Sequence, residues 1–114
     1  MRKALIILHA SPDSPCGRAS KAVRLAAAMV ADGKEVTLFL VEEGLRIADA
    51  PRLPEDGCRA LFSELLDIGI LVYACGSSMR KLGWNDDTLP AGVQKGSMKA
   101  LSSMVTEADE TVPF

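Results

Sequence analysis

Short apolar runs and amphipathic stretches alternate along the chain from end to end. Residues 3–8 are almost continuously apolar, the pattern of a strand buried on both faces. Over residues 16–31, Ala19, Ala22, Val23, Ala26, Met29 and Val30 recur at helical spacing, with Arg18, Lys21 and Arg24 on the polar face. Asp32-Gly33 stops that helix, Gly33 being suited to the left-handed capping position. Residues 36–41 predict a second strand and 42–48 a short helical turn. Residues 55–67 fit an i, i+3, i+4, i+7, i+8 template through Cys58, Leu61, Phe62, Leu65 and Leu66. Gly69 ends this helix, and Ile70 to Ala74 lead a third strand into Cys75. A short helix over 77–82 stops at Gly83, and 84–95 read as a polar loop. A last helix over 97–107 turns Met98, Leu101 and Val105 inward, and 111–114 form a final strand.

This alternation predicts a single α/β domain over residues 1–114. It is a three-layer sandwich around a mostly parallel, flavodoxin-like sheet of about five strands. The prolines at 51 and 54 mark a surface loop rather than a domain boundary. Ligands and reactive groups gather at the carboxyl ends of such strands. In a flavodoxin-like order the first and third strands are neighbours. Cys75 and the 9–16 loop then share one rim.

Composition narrows the function classes. Hydrophobic residues make up 48% of the chain, which argues against disorder, and a formal charge of −2 argues against nucleic acid or anionic membrane as partner. No apolar run is long enough to span a bilayer, and the run after Met1-Arg2-Lys3 is too short for a signal peptide. The expected location is the cytoplasm. Three cysteines without close pairing fit reduced thiols, and a single His makes a metal site an unexpected feature. No cofactor is expected.

Cys75 stands where the third strand gives way to Gly76-Ser77-Ser78-Met79-Arg80-Lys81. Backbone N–H groups, a helix start and nearby cations are the surroundings that lower a thiol pKa and create a nucleophile. Gly76, Ser77, Ser78 and Arg80 are the candidate supporting groups. His9, Ser11 and Cys16 are candidate neighbours on the rim; Cys16 reads first as an ordinary residue at the start of a helix, and in its second reading, as a partner thiol, it would form a disulfide with Cys75 under mild oxidation. Cys58 reads as inert core. Asp13 and Ser14 read as turn and capping residues, and the Trp84 to Asp87 segment as a solvated loop with one anchoring aromatic.

Several stretches resemble the DsrE/TusD (YchN-like) family: residues 3–8, 18–29 and 33–40, then Glu43-Gly44-Leu45-Arg46-Ile47-Ala48 and Val72-Tyr73-Ala74-Cys75-Gly76. Gly92-Val93, Met98-Lys99-Ala100-Leu101 and Ala108-Asp109-Glu110-Thr111-Val112 follow in the expected order. The resemblance implies a small α/β protein assembling as a homotrimer or homohexamer. It also implies a persulfide carried on Cys75 and exchanged with sulfur donor and acceptor proteins. The cysteine–arginine spacing from Cys75 to Arg80 leaves a rhodanese-like thiol enzyme as an alternative. A non-catalytic oligomeric scaffold or small-ligand-binding protein is a third reading, in which Cys75 is incidental.

Overall fold

A computed structural model describes residues 1–53 and 55–114. Strands β1 (Lys3–Leu8), β2 (Glu35–Leu40), β3 (Leu71–Cys75), β4 (Val93–Gly96) and β5 (Glu110–Pro113) form one sheet in the order β4-β3-β2-β1-β5, every pair parallel. Helices α1 (Arg18–Ala31), α2 (Gly57–Asp67), α3 (Gly76–Lys81) and α4 (Met98–Glu107) connect them, with a 3-10 segment at Glu42–Ala48. The sheet class agrees with the sequence reading. The strand order does not place β1 beside β3, because β2 lies between them.

That order explains how the layers divide. The first three crossovers step in one direction across the sheet, so right-handed connections carry α1, α2 and α3 over one face. The return from β4 to β5 runs the other way and puts α4 on the opposite face. The buried side chains sort accordingly. Ile6, Leu38, Val72 and Val93 face a large core with Val23 of α1, Phe62 of α2 and Met79 of α3. Leu5, Phe39, Val41 and Cys75 face a thinner layer closed by Leu101, Met104 and Ala108. No residue of α4 is buried, so its face of the sheet is lightly covered.

Three local expectations need correction. The stretch read as a polar loop contains β4; with Val93 its single buried residue, the strand is too short and too polar to show an apolar period. On α4 the sheet-facing residues are Leu101 and Met104, joined by Ala108 at the C-cap, while Met98 and Val105 are exposed. On α2 the fully buried position beside the apolar stripe is Arg59, and Cys58 is only half-buried.

Arg59 is tolerated there because acidic groups surround it. Its guanidinium donates to both Asp13 carboxylate oxygens at 3.0 and 3.1 Å, to Asp56 at 2.6 Å and to the Arg46 carbonyl at 2.9 Å. Asp13 also takes two hydrogen bonds from Arg52. Hydrogen bonds from Arg59, then Arg52, hold its carboxyl far below the usual range. Asp13 is therefore more than a turn residue: it pins the loop after β1 to α2.

Candidate functional site

Cys75 occupies the last position of β3 and the N-cap of α3. The connection leaving β3 runs to the α1–α3 face, whereas the one leaving the adjacent β4 runs to the α4 face. The crevice between these two strand ends is thus a topological switch point, where open α/β sheets place their ligands. Cys75 pairs there with Gly96. Two glycines keep the place open. A Cβ on Gly96 would lie 2.8 Å from the Phe39 ring, and one on Gly76 would lie 3.0 Å from Lys95 Cε.

The thiol is 2% exposed and points into the thin layer under α4. Burial pushes its pKa up, but the Ser77 hydroxyl, 3.3 Å from Sγ, and the amide and hydroxyl of Ser78 outweigh this and leave it below the ordinary thiol value. No side-chain capping hydrogen bond forms at the start of α3; the side-chain partner of Sγ is the Ser77 hydroxyl. Ser78 is buried and its Oγ accepts the Glu42 N–H at 2.8 Å. Arg80 sits on the exposed last turn of α3 and is not among the main groups that lower the thiol. Residues 76–81 are helical, which places Arg80 in the last turn of α3, away from the helix start that Cys75 caps.

The other predicted rim residues form a separate group. His9, Ser11 and Cys16 line one open depression of about 790 Å³ together with Arg18 and Arg46, and Cys75 is not in its wall. Cys16 is exposed, its pKa lowered by the Ser14 hydroxyl and then by the Arg18 N–H. It precedes α1 on the far face of the sheet, while Cys75 faces α4. Both thiols lie at the C-terminal edge of the parallel sheet, but β1 and β3 are not the neighbours a flavodoxin-like order would make them, because β2 lies between. Cys58 is pushed up to about 11 by burial, as an inert thiol should be. Among the described residues, no cluster of three or more His, Cys, Asp or Glu side chains could hold a metal ion.

The family model for DsrE/DsrF-like proteins matches residues 1–114. The chain belongs to the DsrE/DsrF-like family. Among its relatives, the uncharacterized protein MJ0989 of Methanocaldococcus jannaschii is 29% identical over 106 residues, covering 90% of this chain and 93% of that protein. The uncharacterized protein MK0008 of Methanopyrus kandleri is 28% identical, covering 90% and 88%. The ychN protein of E. coli has the same fold, with a TM-score of 0.89 over the full length of both chains at 21% identity. MTH1491 of Methanobacterium thermoautotrophicum, a protein of unknown function, aligns with a TM-score of 0.81 at 17% identity, again over both full chains. No helix in the described part of this DsrE/DsrF-like protein is long and apolar enough to cross a membrane.

Two features of the site had no counterpart in the sequence reading. Glu42 adopts a left-handed backbone beside Ser78, and Gly96 makes room for the Phe39 ring next to Cys75. The second had a signal in the Lys95-Gly96-Ser97 break before an amphipathic helix. The first had none, because glutamate carries no preference for positive φ.

Proposed function

We propose that this DsrE/DsrF-like protein is a sulfur carrier that holds sulfane sulfur as a persulfide on Cys75. The observation that carries the reading is a thiol at the β3/β4 switch point, its pKa lowered by the Ser77 and Ser78 groups despite burial. The Cys75 thiolate attacks the terminal sulfur of a donor persulfide. A new S–S bond forms, the donor's S–S bond breaks, and the donor thiolate leaves with the electron pair. An acceptor thiolate then attacks the outer sulfur and returns Cys75 as thiolate. No net oxidation occurs in either step, and Gly76, Ser77 and Ser78 provide the polar edge that steadies the anion. Family membership supports the reading, and Arg80 has no part in it.

Delivery to a residue this buried requires local opening. The least anchored wall is α4, which packs through Leu101 and Met104 without burying any residue of its own. We propose further that the chain assembles as a homotrimer or homohexamer and works in the cytoplasm; the lightly covered face is the surface such an assembly would bury. Leu71, Met98 and Val105 are exposed there, beside a groove of about 340 Å³ lined by Leu5, Tyr73 and Met104 among others. Light scattering of the purified protein measures that assembly directly.

The carrier reading is tested by loading reduced protein with a low-molecular-weight persulfide, desalting, and releasing sulfane sulfur as thiocyanate with cold cyanide. In a Cys16→Ser background, which removes the exposed thiol, one equivalent per chain is expected with Cys75 present, with or without Cys58→Ser, and none after Cys75→Ser. Equal release from Cys75→Ser would leave the scaffold reading in its place.

A further inference from the structure

Sulfur has to reach a thiol that is 2% exposed, and the two layers beside Cys75 are held with unequal strength. On one side α3 starts directly after Cys75 and buries Gly76, Ser78 and Met79. On the side the thiol faces, α4 buries no residue. Leu101 and Met104 are its half-buried side chains in that layer, joined by Ala108 at the C-cap. Met104 and Ala108 stand over the groove of about 340 Å³ whose floor is Leu5, Thr37 and Tyr73, so this half of the helix spans open space. Leu101 does not line the groove. It lies in the first turn of α4, just after Gly96, the residue paired with Cys75. Of the α4 side chains in this layer, Leu101 is thus the one at the Cys75 end.

The two ends of α4 are also tied differently. After its C-terminus, the Asp109 N–H donates to the Lys3 carbonyl at 2.8 Å, and the Lys3 N–H donates to the Asp109 carboxylate at 2.7 Å. β5 then pairs with β1, and Glu110 bridges to Lys34 and Arg2. That end is fixed to the middle of the sheet. The N-terminal end hangs from β4, an edge strand that pairs with β3 alone and has Val93 as its single buried residue. Gly96, where the chain leaves the sheet, has no side chain to anchor it. A helix held firmly at one end and lightly at the other swings from the firm end.

We propose that α4 is a lid over Cys75, pivoting at Ala108–Asp109 and latched by Leu101, and that its opening admits the sulfur donor and acceptor. The proposal rests on the sulfur-carrier reading and names what controls access to that site. Opening withdraws one half-buried leucine from the layer and leaves β1, β2 and β3 paired, so it is far less costly than unfolding the domain. Closed, the lid keeps water and competing thiols from a loaded sulfur. Leu101 sets the open fraction, and with it the rates of both loading and unloading.

The test pairs iodoacetamide alkylation of Cys75, in a Cys16→Ser/Cys58→Ser background, with amide hydrogen exchange read by mass spectrometry. Leu101→Ala is expected to speed Cys75 alkylation and α4 exchange together, by about tenfold, with a smaller change in β1 and β2. Ala100→Leu extends a side chain into the groove and is expected to slow both, by about fivefold. Met98→Ala, on the exposed side of α4, should change neither. Low urea separates the lid from global unfolding: α4 exchange and Cys75 alkylation should respond weakly, β1 exchange steeply. Cys75 alkylation that stays at the parent rate while α4 exchange changes would overturn the proposal, as would alkylation that follows β1. Should Leu101→Ala not fold, Leu101→Val carries the same comparison. Alkylation needs no sulfur donor, so a failure here is distinguishable from a failure of Cys75 to take up sulfur.

Discussion

Gly96→Ala puts one methyl group into the wall behind Cys75. Its Cβ would sit 2.8 Å from Phe39 Cε2, 3.1 Å from Cζ and 3.3 Å from the Tyr73 Cβ. Carbon atoms in contact prefer about 3.5–4.0 Å, so the shortfall against the ring is about 0.7 Å. Phe39 is fully buried and stacks on Tyr73 with centroids 6.4 Å apart, so the ring cannot swing into solvent. Overpacking of this kind costs about 1–3 kcal/mol, offset by about 0.4–1 kcal/mol from the stiffer unfolded chain. The expected net loss is about 1–2 kcal/mol, or roughly 4–8 °C in Tm for each kcal/mol in a domain near this size. Gly57→Ala is the matched control. Gly57 opens α2 with free space around its Cβ position, so alanine there should gain about 0.5–1 kcal/mol. Urea unfolding of the two variants measures the contrast, and the displaced ring should also speed alkylation of Cys75. Equal stability of Gly96→Ala and Gly57→Ala would refute the argument that this glycine holds the wall in place.

Other outcomes follow from the same geometry. At pH 8, alkylation followed by peptide mass mapping should label exposed Cys16 first, with Cys58, pushed up to about 11, slower by at least about a hundredfold. Mild oxidation should leave no Cys16–Cys75 disulfide, since the two thiols belong to opposite faces; a bridged peptide pair would contradict the strand order. Asp13→Asn should destabilise the fold more than Arg59→Met, because the first leaves a buried guanidinium with Asp56 as its one carboxylate partner and the second removes the charge, a ranking that thermal unfolding checks. Asp13 and Asp56 are both held below their unfolded values by Arg59. Their contribution is complete at neutral pH and fades as pH falls below about 4 toward the folded values, so wild type should lose stability there faster than the Asp13→Asn variant.

How much of this was legible in the chain depended on the kind of signal each part leaves. β1 was readable to the residue because it is buried on both faces and has no polar interruption. The helices α1 and α2 were readable from their stripes, and Cys75 from the change of pattern after Ala74. Strand order was not readable, because the helix and strand alternation is the same whether β2 or β3 lies beside β1. The burial of Arg59 was not readable, since nothing local announces that Asp13, forty-six positions away, will neutralise it. The candidate site was half visible for the same reason. Ser77 and Ser78 follow Cys75 closely in sequence, whereas Gly96 meets it only through strand pairing, and Glu42 meets Ser78 only in the folded chain.

The central claim is that Cys75 carries sulfur, and intact-peptide mass spectrometry of the loaded protein tests it most directly. The account predicts that the peptide containing Cys75 gains the mass of one sulfur atom, loses it to an added acceptor thiol, and shows no gain in Cys75→Ser. A Cys75 peptide that stays unmodified under a persulfide donor, while Cys16 takes up the sulfur, would contradict it.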